Sequence, residues 1–293
     1  MEVEMSAQKF DGAAYKSGQK EQWDSVADAW RKWWPTIEKG ARSASIALAD
    51  AIDAKPGQRI LDVSTGIGEP AVTLAGLVGP EGSIVATDQS AGMLAVAGER
   101  IKEEGLSNIE LVEVDTEVLD LPEDEFDGAV CRWGLMFLPD LQAGLQAIRR
   151  SLKPGAKFAA IVWPTPERVP FMSLPMAVAQ QVLDPPPPPP PAGVPNPFSL
   201  GGDGMLQTAF KAAGFKNVVE DTLQIQFDLE SPQEYCEFLG DVAPPVRAML
   251  AGRASDQIEQ FWSAVASKAG AFVDENGNFG IPNTAPLAIG TKK

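Results

Sequence analysis

Histidine is absent from this chain of 293 residues. Its absence removes the side chain most often used as a general base near neutral pH, the Ser-His and Cys-His nucleophile pairs, and every zinc site that needs imidazole. Cysteine is nearly absent: Cys131 and Cys236 are the two present. They are too few for a disulfide framework or a thiolate metal centre, so no metal is expected and both read as small buried hydrophobes. No stretch approaches the roughly 18 uninterrupted apolar residues of a membrane span. The opening residues, Met1 to Lys9, lack the basic start and apolar segment of a secretory leader, so a cytoplasmic protein is expected. Basic residues are scarce beside acidic ones, 24 against 40, for a formal net charge of -16. Such a surface repels phosphate backbones and anionic lipid, which argues against nucleic acid as a partner.

What is present suffices for a large α/β core, with 44% hydrophobic and 22% charged residues. Over residues 22–51 the spacing of Trp23, Val26, Ala27, Trp30, Trp33, Trp34 and Ile37 predicts a helical segment with one apolar side, ended by Lys55-Pro56-Gly57. Strand-like segments then alternate with helical ones: 59–63, 71–78, 83–87, 92–104, 109–114, 127–133, 141–152 and 157–163. This alternation implies βαβ units and a doubly wound, Rossmann-like α/β sheet. After Trp163 the pattern breaks into a loop-rich stretch in which Asp184 precedes seven prolines, Pro185 to Pro191, a stiff polyproline run. A helix from about Asp203 to a stop at Gly214, a strand over 218–227, helices over 232–271 and a short strand over 286–290 complete the reading. The expected organisation is an N-terminal helical cap (1–54), a nucleotide-type core (55–165), a proline-rich lid (166–202) and the rest of the core (203–293) with a helical insertion at 228–272.

The most informative segment is an apolar strand entering a glycine-containing turn, Asp62-Val-Ser64-Thr-Gly66-Ile-Gly68-Glu69-Pro70-Ala71. Glycines there let backbone amides approach a ligand at a helix N-terminus. The pattern Gly66-x-Gly68-x-x-Ala71, with Asp88 about 20 residues on, also matches a dinucleotide fingerprint. Charge separates the two readings. Asp62 and Glu69 would crowd a pyrophosphate but attract an ammonium or a sulfonium, the two cationic groups of S-adenosylmethionine. Asp88, at the end of the next strand, suits the ribose hydroxyls, with helix capping as its other reading. Asp115, beyond the third strand, suits an adenine amino group or a capped turn.

These residues resemble the seven-stranded class I S-adenosylmethionine-dependent methyltransferases, in particular the UbiE-like group related to ubiquinone and menaquinone methylation. The resemblance runs in order over about residues 20 to 165, through Ile60-Leu-Asp-Val-Ser-Thr-Gly-Ile-Gly-Glu69, Ala86-Thr-Asp88, Val114-Asp115-Thr116-Glu117, Arg132-Trp-Gly-Leu-Met-Phe-Leu-Pro-Asp140 and Leu152-Lys-Pro-Gly155. It implies a sheet of six parallel strands and one antiparallel. It further implies that Asp62 and Gly66 face the donor's methionine part, that Asp88, Gln89 and Met93 flank ribose and adenine, and that Asp115 and Thr116 face adenine. The backbone near Arg132 would meet the amino group, and Trp23, Trp30 and Trp34 would lie on a helix over the donor or in plain core. Two departures stand out. Ser64 occupies the first motif glycine, and Met136-Phe137 stand where histidine is frequent.

Methyl transfer from a sulfonium is an in-line displacement that alignment can accelerate without a strong base. The available base candidates are Glu69, Tyr15, Asp140 and Tyr235, each equally readable as a cap or surface residue. The acceptor is expected beyond the carboxyl ends of the strands, against Trp133, Met136, Phe137, Trp163, Phe171 and Met172, and so to be a small apolar or aromatic molecule methylated on oxygen or carbon. Arg132 and Arg168 could meet an acidic group on it. An NAD-dependent oxidoreductase on the same loop, a non-catalytic ligand-binding protein of the same fold, and a partner docking on the proline run stay open, as does the oligomeric state.

Overall fold

A computed structural model describes residues 10–189 and 191–293; the opening residues on which the leader expectation rests, and Pro190 of the proline run, lie outside the described residues. Asp11 starts the first helix, its carboxylate accepting from the amides of Ala13 and Ala14. The predicted helical region is two helices, α1 (Gly12–Lys32) and α2 (Trp34–Ala51). Pro35, in the first turn of α2, has no amide hydrogen with which to continue α1, so the chain bends at Trp33. There follow β1 (Arg59–Val63), α3 (Ala71–Val78), β2 (Ser83–Asp88), α4 (Ala91–Glu103), β3 (Ile109–Glu113), β4 (Phe126–Arg132), α5 (Leu141–Ser151) and β5 (Leu152–Ile161). Then come α6 (Pro170–Val182), α7 (Met205–Ala212), β6 (Lys216–Leu229), α8 (Pro232–Val242), α9 (Pro244–Leu250), α10 (Ser255–Ala269) and β7 (Phe279–Thr291).

The seven strands form one sheet in the order β3-β2-β1-β4-β5-β7-β6. β1 to β5 pair in parallel, and β7 runs antiparallel between β5 and β6. This is the expected arrangement of six parallel strands and one antiparallel. The chain winds outward from β1 in both directions, so a crevice opens at the carboxyl ends of β1 and β4, where the strand order reverses. β7 is longer than its predicted apolar stretch because its ladder with β6 extends from Lys216 opposite Thr291 to Leu229 opposite Phe279. Pro282 and Pro286 within it disguise the strand in sequence.

Prolines also hide α6 inside what reads as loop. Pro170 begins that helix, where no amide is needed, but Pro175 lies inside it and cannot donate to the carbonyl of Phe171 four residues back. The hydroxyl of Tyr235, on α8 and fully buried, donates to that same carbonyl at 2.6 Å. Tyr235 therefore replaces the missing helical hydrogen bond and pins α8 to α6. The polyproline run is held similarly by side chains: Gln180 donates to the carbonyl of Pro187, Arg253 to that of Pro185, and Gln257 to that of Asp184.

Removing the Tyr235 hydroxyl leaves a buried carbonyl unmet. Tyr235→Phe is expected to destabilise the fold by about 1–3 kcal/mol in urea denaturation. In a Pro175→Ala background the restored amide should take over the carbonyl and reduce that cost. An equal cost in both backgrounds would show that the two groups do not share this carbonyl.

Candidate active site

The turn between β1 and α3 is organised by Asp62, whose side chain is wholly buried. Its Oδ2 accepts from the Thr65 hydroxyl at 2.7 Å and from the Ala71 amide, at the start of α3, at 2.9 Å. Its Oδ1 is buried with no partner among the described residues. Desolvation by burial pushes the Asp62 carboxyl up to about 7, against the pull of Thr65, Arg132 and Ala71. The loop is also fastened to β2: the Thr65 amide donates to the Thr87 carbonyl, and the Gly66 amide to Asp88 Oδ2 at 2.9 Å. Gly66 (φ +57) and Gly68 (φ +99) are left-handed, and so is Ser64 (φ +58) in place of a glycine.

Asp88, at the end of β2, accepts from both the Gly66 and Ser90 amides, and burial raises its pKa. It thus ties the glycine loop to the turn that opens α4, whose N-cap is Ser90. Thr116 is buried beside Asp115, whose Oδ1 accepts from the Glu117 amide. The other oxygen of Asp115 meets Lys16 of α1 at 2.6 Å, and Lys16 also meets Glu117. Lys20 donates to the Gln89 carbonyl and pairs with Glu113, while Asp24 accepts from Ser90 and Gly92. A crevice of about 400 Å³ lies here between α1 and the ends of β2 and β3, lined by Lys16, Lys20, Gln89 and Asp115 among others.

The N-terminal helix packs against the loop and the start of α4. Ile67, Met93 and Val96 pack with Val26 and Ala27 of α1, flanked by Trp23, Trp30 and Trp34. The Trp30 indole donates to the Val242 carbonyl of α8. The tryptophans are thus core residues, and the core they flank includes Ile67 of the loop.

Glu69 requires a correction. Its carboxylate is 2% exposed and pairs with Arg100 of α4 at 2.8 Å, and the Arg100 guanidinium lies 3.0 Å from the centre of the Trp34 ring. Its charge is thus paired within the protein by Arg100, which is 31 residues away and which no local pattern announces. The other base candidates are also occupied. Tyr15 donates to the Pro195 carbonyl, and burial pushes its phenol up to about 12. Burial holds Tyr235 well above the usual tyrosine range while it serves Phe171. Asp140 is the exposed N-cap of α5, accepting from Ala143. Three of the four are thus held by partners within the protein, and Asp140 lies at the surface.

Of the expected acceptor residues, the fold brings some together and separates others. Trp133, just after β4, stacks on Trp163, just after β5, with ring centres 4.4 Å apart and planes 7° from parallel. Trp163 adjoins Phe227, which stacks on Phe171 at 4.3 Å, so the aromatic surface runs on into the core; Met172 packs at its margin. Phe137 instead meets Trp23 of α1 edge-on. Met136 is buried and lines a separate crevice of about 410 Å³ against Pro195 and Leu200. The Arg132 side chain is taken up by Ser45 of α2, and Arg168 pairs with Asp203. Both cysteines are free; Cys131 is buried, but Cys236 is only half-buried, against the Trp262 carbonyl. Sequence reasoning missed Thr65, Lys16, Lys20, Asp24 and Phe227. The i, i+4 spacing of Lys16, Lys20 and Asp24 marks one helical face, but nothing local names the acids it meets.

Residues 43–183, from α2 to the end of α6, match the model of the ubiE/COQ5 methyltransferase family. A 2-phytyl-1,4-naphtoquinone methyltransferase of Synechococcus elongatus is 39% identical over 111 residues, 37% of this chain and 47% of that protein. A ubiquinone/menaquinone biosynthesis C-methyltransferase UbiE of Coxiella burnetii is 35% identical over 130 residues, 44% of this chain and 52% of that protein. The chain spans about half the length of these curated relatives. Among solved structures, phosphoethanolamine N-methyltransferase 2 of Haemonchus contortus, in complex with S-adenosyl-L-methionine, is similar with a TM-score of 0.53 at 20% identity, over 86% of this chain and 53% of that one. That likeness is one of fold.

Asp62 gives the loop a pH signature. Its pKa is raised above the ordinary carboxylate value of 3.8, so the folded state favours the protonated form, and its contribution to stability falls as pH rises from about 4 to about 7. Asp62→Asn should flatten that part of the stability profile, read as the difference between variant and wild-type urea midpoints at about pH 5 and about pH 8. A constant difference across the window would show that Asp62 is ionised throughout.

Proposed function

We propose that this protein, whose residues 43–183 match the ubiE/COQ5 methyltransferase family, uses S-adenosylmethionine to methylate a small, flat, largely apolar acceptor of the quinone class, at a ring carbon beside an oxygen. The donor supplies an electrophilic methyl group on a sulfonium when bound. The residues at the crevice fit it. Asp62 has an unmet, buried carboxylate oxygen suited to an ammonium, and a side chain added at Gly66 would meet nothing within 4 Å, so space lies beside its backbone. Asp88 would hold the ribose, with Gln89 and Met93 beside it, and Asp115 and Thr116 the adenine, which would share Asp115 with Lys16. A carboxylate has about four lone-pair sites, enough for both. Ser64 and Gly68 would shape the turn around the methionine part, close to the backbone at Arg132.

The observation that carries the acceptor reading is the Trp133–Trp163 stack at the carboxyl ends of β4 and β5, beside the glycine loop. The half-buried Trp133 ring, backed by the buried Trp163, would offer a flat apolar face to a flat ring. The names of the two curated relatives support a quinone ring and, in one case, attack at carbon. Chemistry then rests on placement. With Glu69, Tyr15 and Tyr235 committed elsewhere and Asp140 an exposed helix cap, the protein's contribution is to align the acceptor with the methyl group under α1 and exclude water. In the reduced, hydroquinone form of the acceptor a ring hydroxyl makes the adjacent carbon nucleophilic; that carbon takes the methyl group as the carbon–sulfur bond breaks, and its proton is lost to bulk solvent as the ring rearomatises after release.

The test is to incubate the protein with labelled S-adenosylmethionine and a panel of naphthohydroquinones, phenols and amines, kept anaerobic, and to identify the products. Label on a hydroquinone ring carbon is expected. Label on oxygen alone would overturn the carbon assignment, and transfer only to amines would overturn the acceptor class. In calorimetry Asp88→Ala should weaken S-adenosylhomocysteine binding by about 1.5–3 kcal/mol, the loss of hydrogen bonds to a charged acceptor. Unchanged affinity would leave Asp88 as a cap alone.

A further inference from the structure

Two neighbouring strands, β1 and β4, each end in a non-glycine residue forced into the left-handed region: Ser64 at φ +58 and Trp133 at φ +59. The two turns pack directly on each other. A side chain at Gly134 would place its Cβ 2.5 Å from Ser64 Cβ and 2.9 Å from the Cys131 sulfur, so the backbone after Trp133 is pressed against the donor loop. For a bulky aromatic residue this conformation is strained. Trp133 carries a second cost. Its indole N–H is buried with no hydrogen-bond partner among the described residues, although the ring itself is half-buried and rests on Trp163. Phenylalanine would preserve a stacked ring without the orphaned donor, and glycine would remove the strain. A ligand oxygen would satisfy the unmet donor, and a strained backbone retained at a strand end bordering the donor loop marks the residue as one kept for a function.

We propose that Trp133 is an acceptor-binding residue whose indole N–H donates a hydrogen bond to an oxygen on the ring of the acceptor. The inference rests on the acceptor reading above and narrows it. Indole nitrogen only donates, so the group it recognises is a carbonyl or hydroxyl oxygen; an ammonium would be rejected. The Arg132 guanidinium, 5.3 Å from the Trp133 ring, adds positive charge and favours an electron-rich oxygen. Held at one oxygen, a flat ring has a fixed rotation in its plane, which decides which ring position faces the donor loop.

Two probes separate this role from packing: 1-naphthol, which carries the oxygen, and naphthalene, which does not, each titrated into protein saturated with S-adenosylhomocysteine. Trp133→Phe is expected to bind 1-naphthol about tenfold more weakly than wild type, a loss of about 1.4 kcal/mol, with naphthalene changed less than about twofold and S-adenosylhomocysteine unaffected. Trp163→Leu, which removes the stacking partner but leaves the N–H, should weaken both probes alike; near-ultraviolet circular dichroism checks that each variant is folded. Equal losses for the two probes in Trp133→Phe, or no loss for either, would overturn the proposal. If wild type bound neither probe while still binding S-adenosylhomocysteine, the acceptor assignment would fall and the methyltransferase domain would stand. Failure to bind S-adenosylhomocysteine would instead strike the proposed function itself.

Discussion

The buried carboxylate of Asp62 is the constraint on which the rest of the site depends. One of its oxygens gathers the two ends of the loop, the Thr65 hydroxyl near its start and the Ala71 amide at the head of α3. With those ends fixed, the Gly66 amide meets Asp88, and through Ser90 the loop is joined to α4. A carboxylate is expensive to bury, and its raised pKa records that expense. The expense is tolerated because an apolar side chain there would leave the Ala71 and Thr65 donors without a partner inside the core. The remaining oxygen is buried without a partner among the described residues at the carboxyl end of β1.

α1 completes this arrangement from outside. Individually its exposed ion pairs contribute little. Their placement matters more, since Lys16, Lys20 and Asp24 address the ends of β3 and β2 and the head of α4, while Ile67 and Met93 close an apolar cluster beneath the same helix. The acidic rim is thereby partly neutralised by the helix that covers it. Charge at the loop is accordingly narrower than a count of nearby acids suggests: Arg100, stacked on Trp34, pairs with Glu69, while Asp62 keeps a buried carboxylate oxygen without a partner among the described residues.

The proline-rich half shows how a local rule fails without being wrong. Pro175 does break a helical hydrogen bond, yet α6 continues because a tyrosine 60 residues later in the chain supplies the missing donor (175 to 235). The same applies to the polyproline run, whose carbonyls take donors from α6 and α10. Such repairs come from distant segments, and helix or loop propensity contains no term for them.

The sequence by itself determined the alternation of strands and helices, hence the parallel sheet and its crevice, because hydrophobic periodicity and glycine placement act over a few residues. It also marked Asp62, Gly66, Asp88 and Asp115 as neighbours, since successive strand ends of a parallel sheet must lie side by side. Only the tertiary structure decided which polar groups are spent and which are free. Tyr15, Tyr235, Glu69 and Asp140 read as possible bases until the Pro195 carbonyl, the Phe171 carbonyl, Arg100 and the Ala143 amide are seen to occupy them. Likewise, Met136 and Phe137 follow Trp133 in sequence but face other neighbours, while Trp163, thirty residues away, stacks on it (133 to 163). Hydrogen-bond commitment and ring contact are settled by segments far apart in the chain, and that is information a linear pattern does not hold.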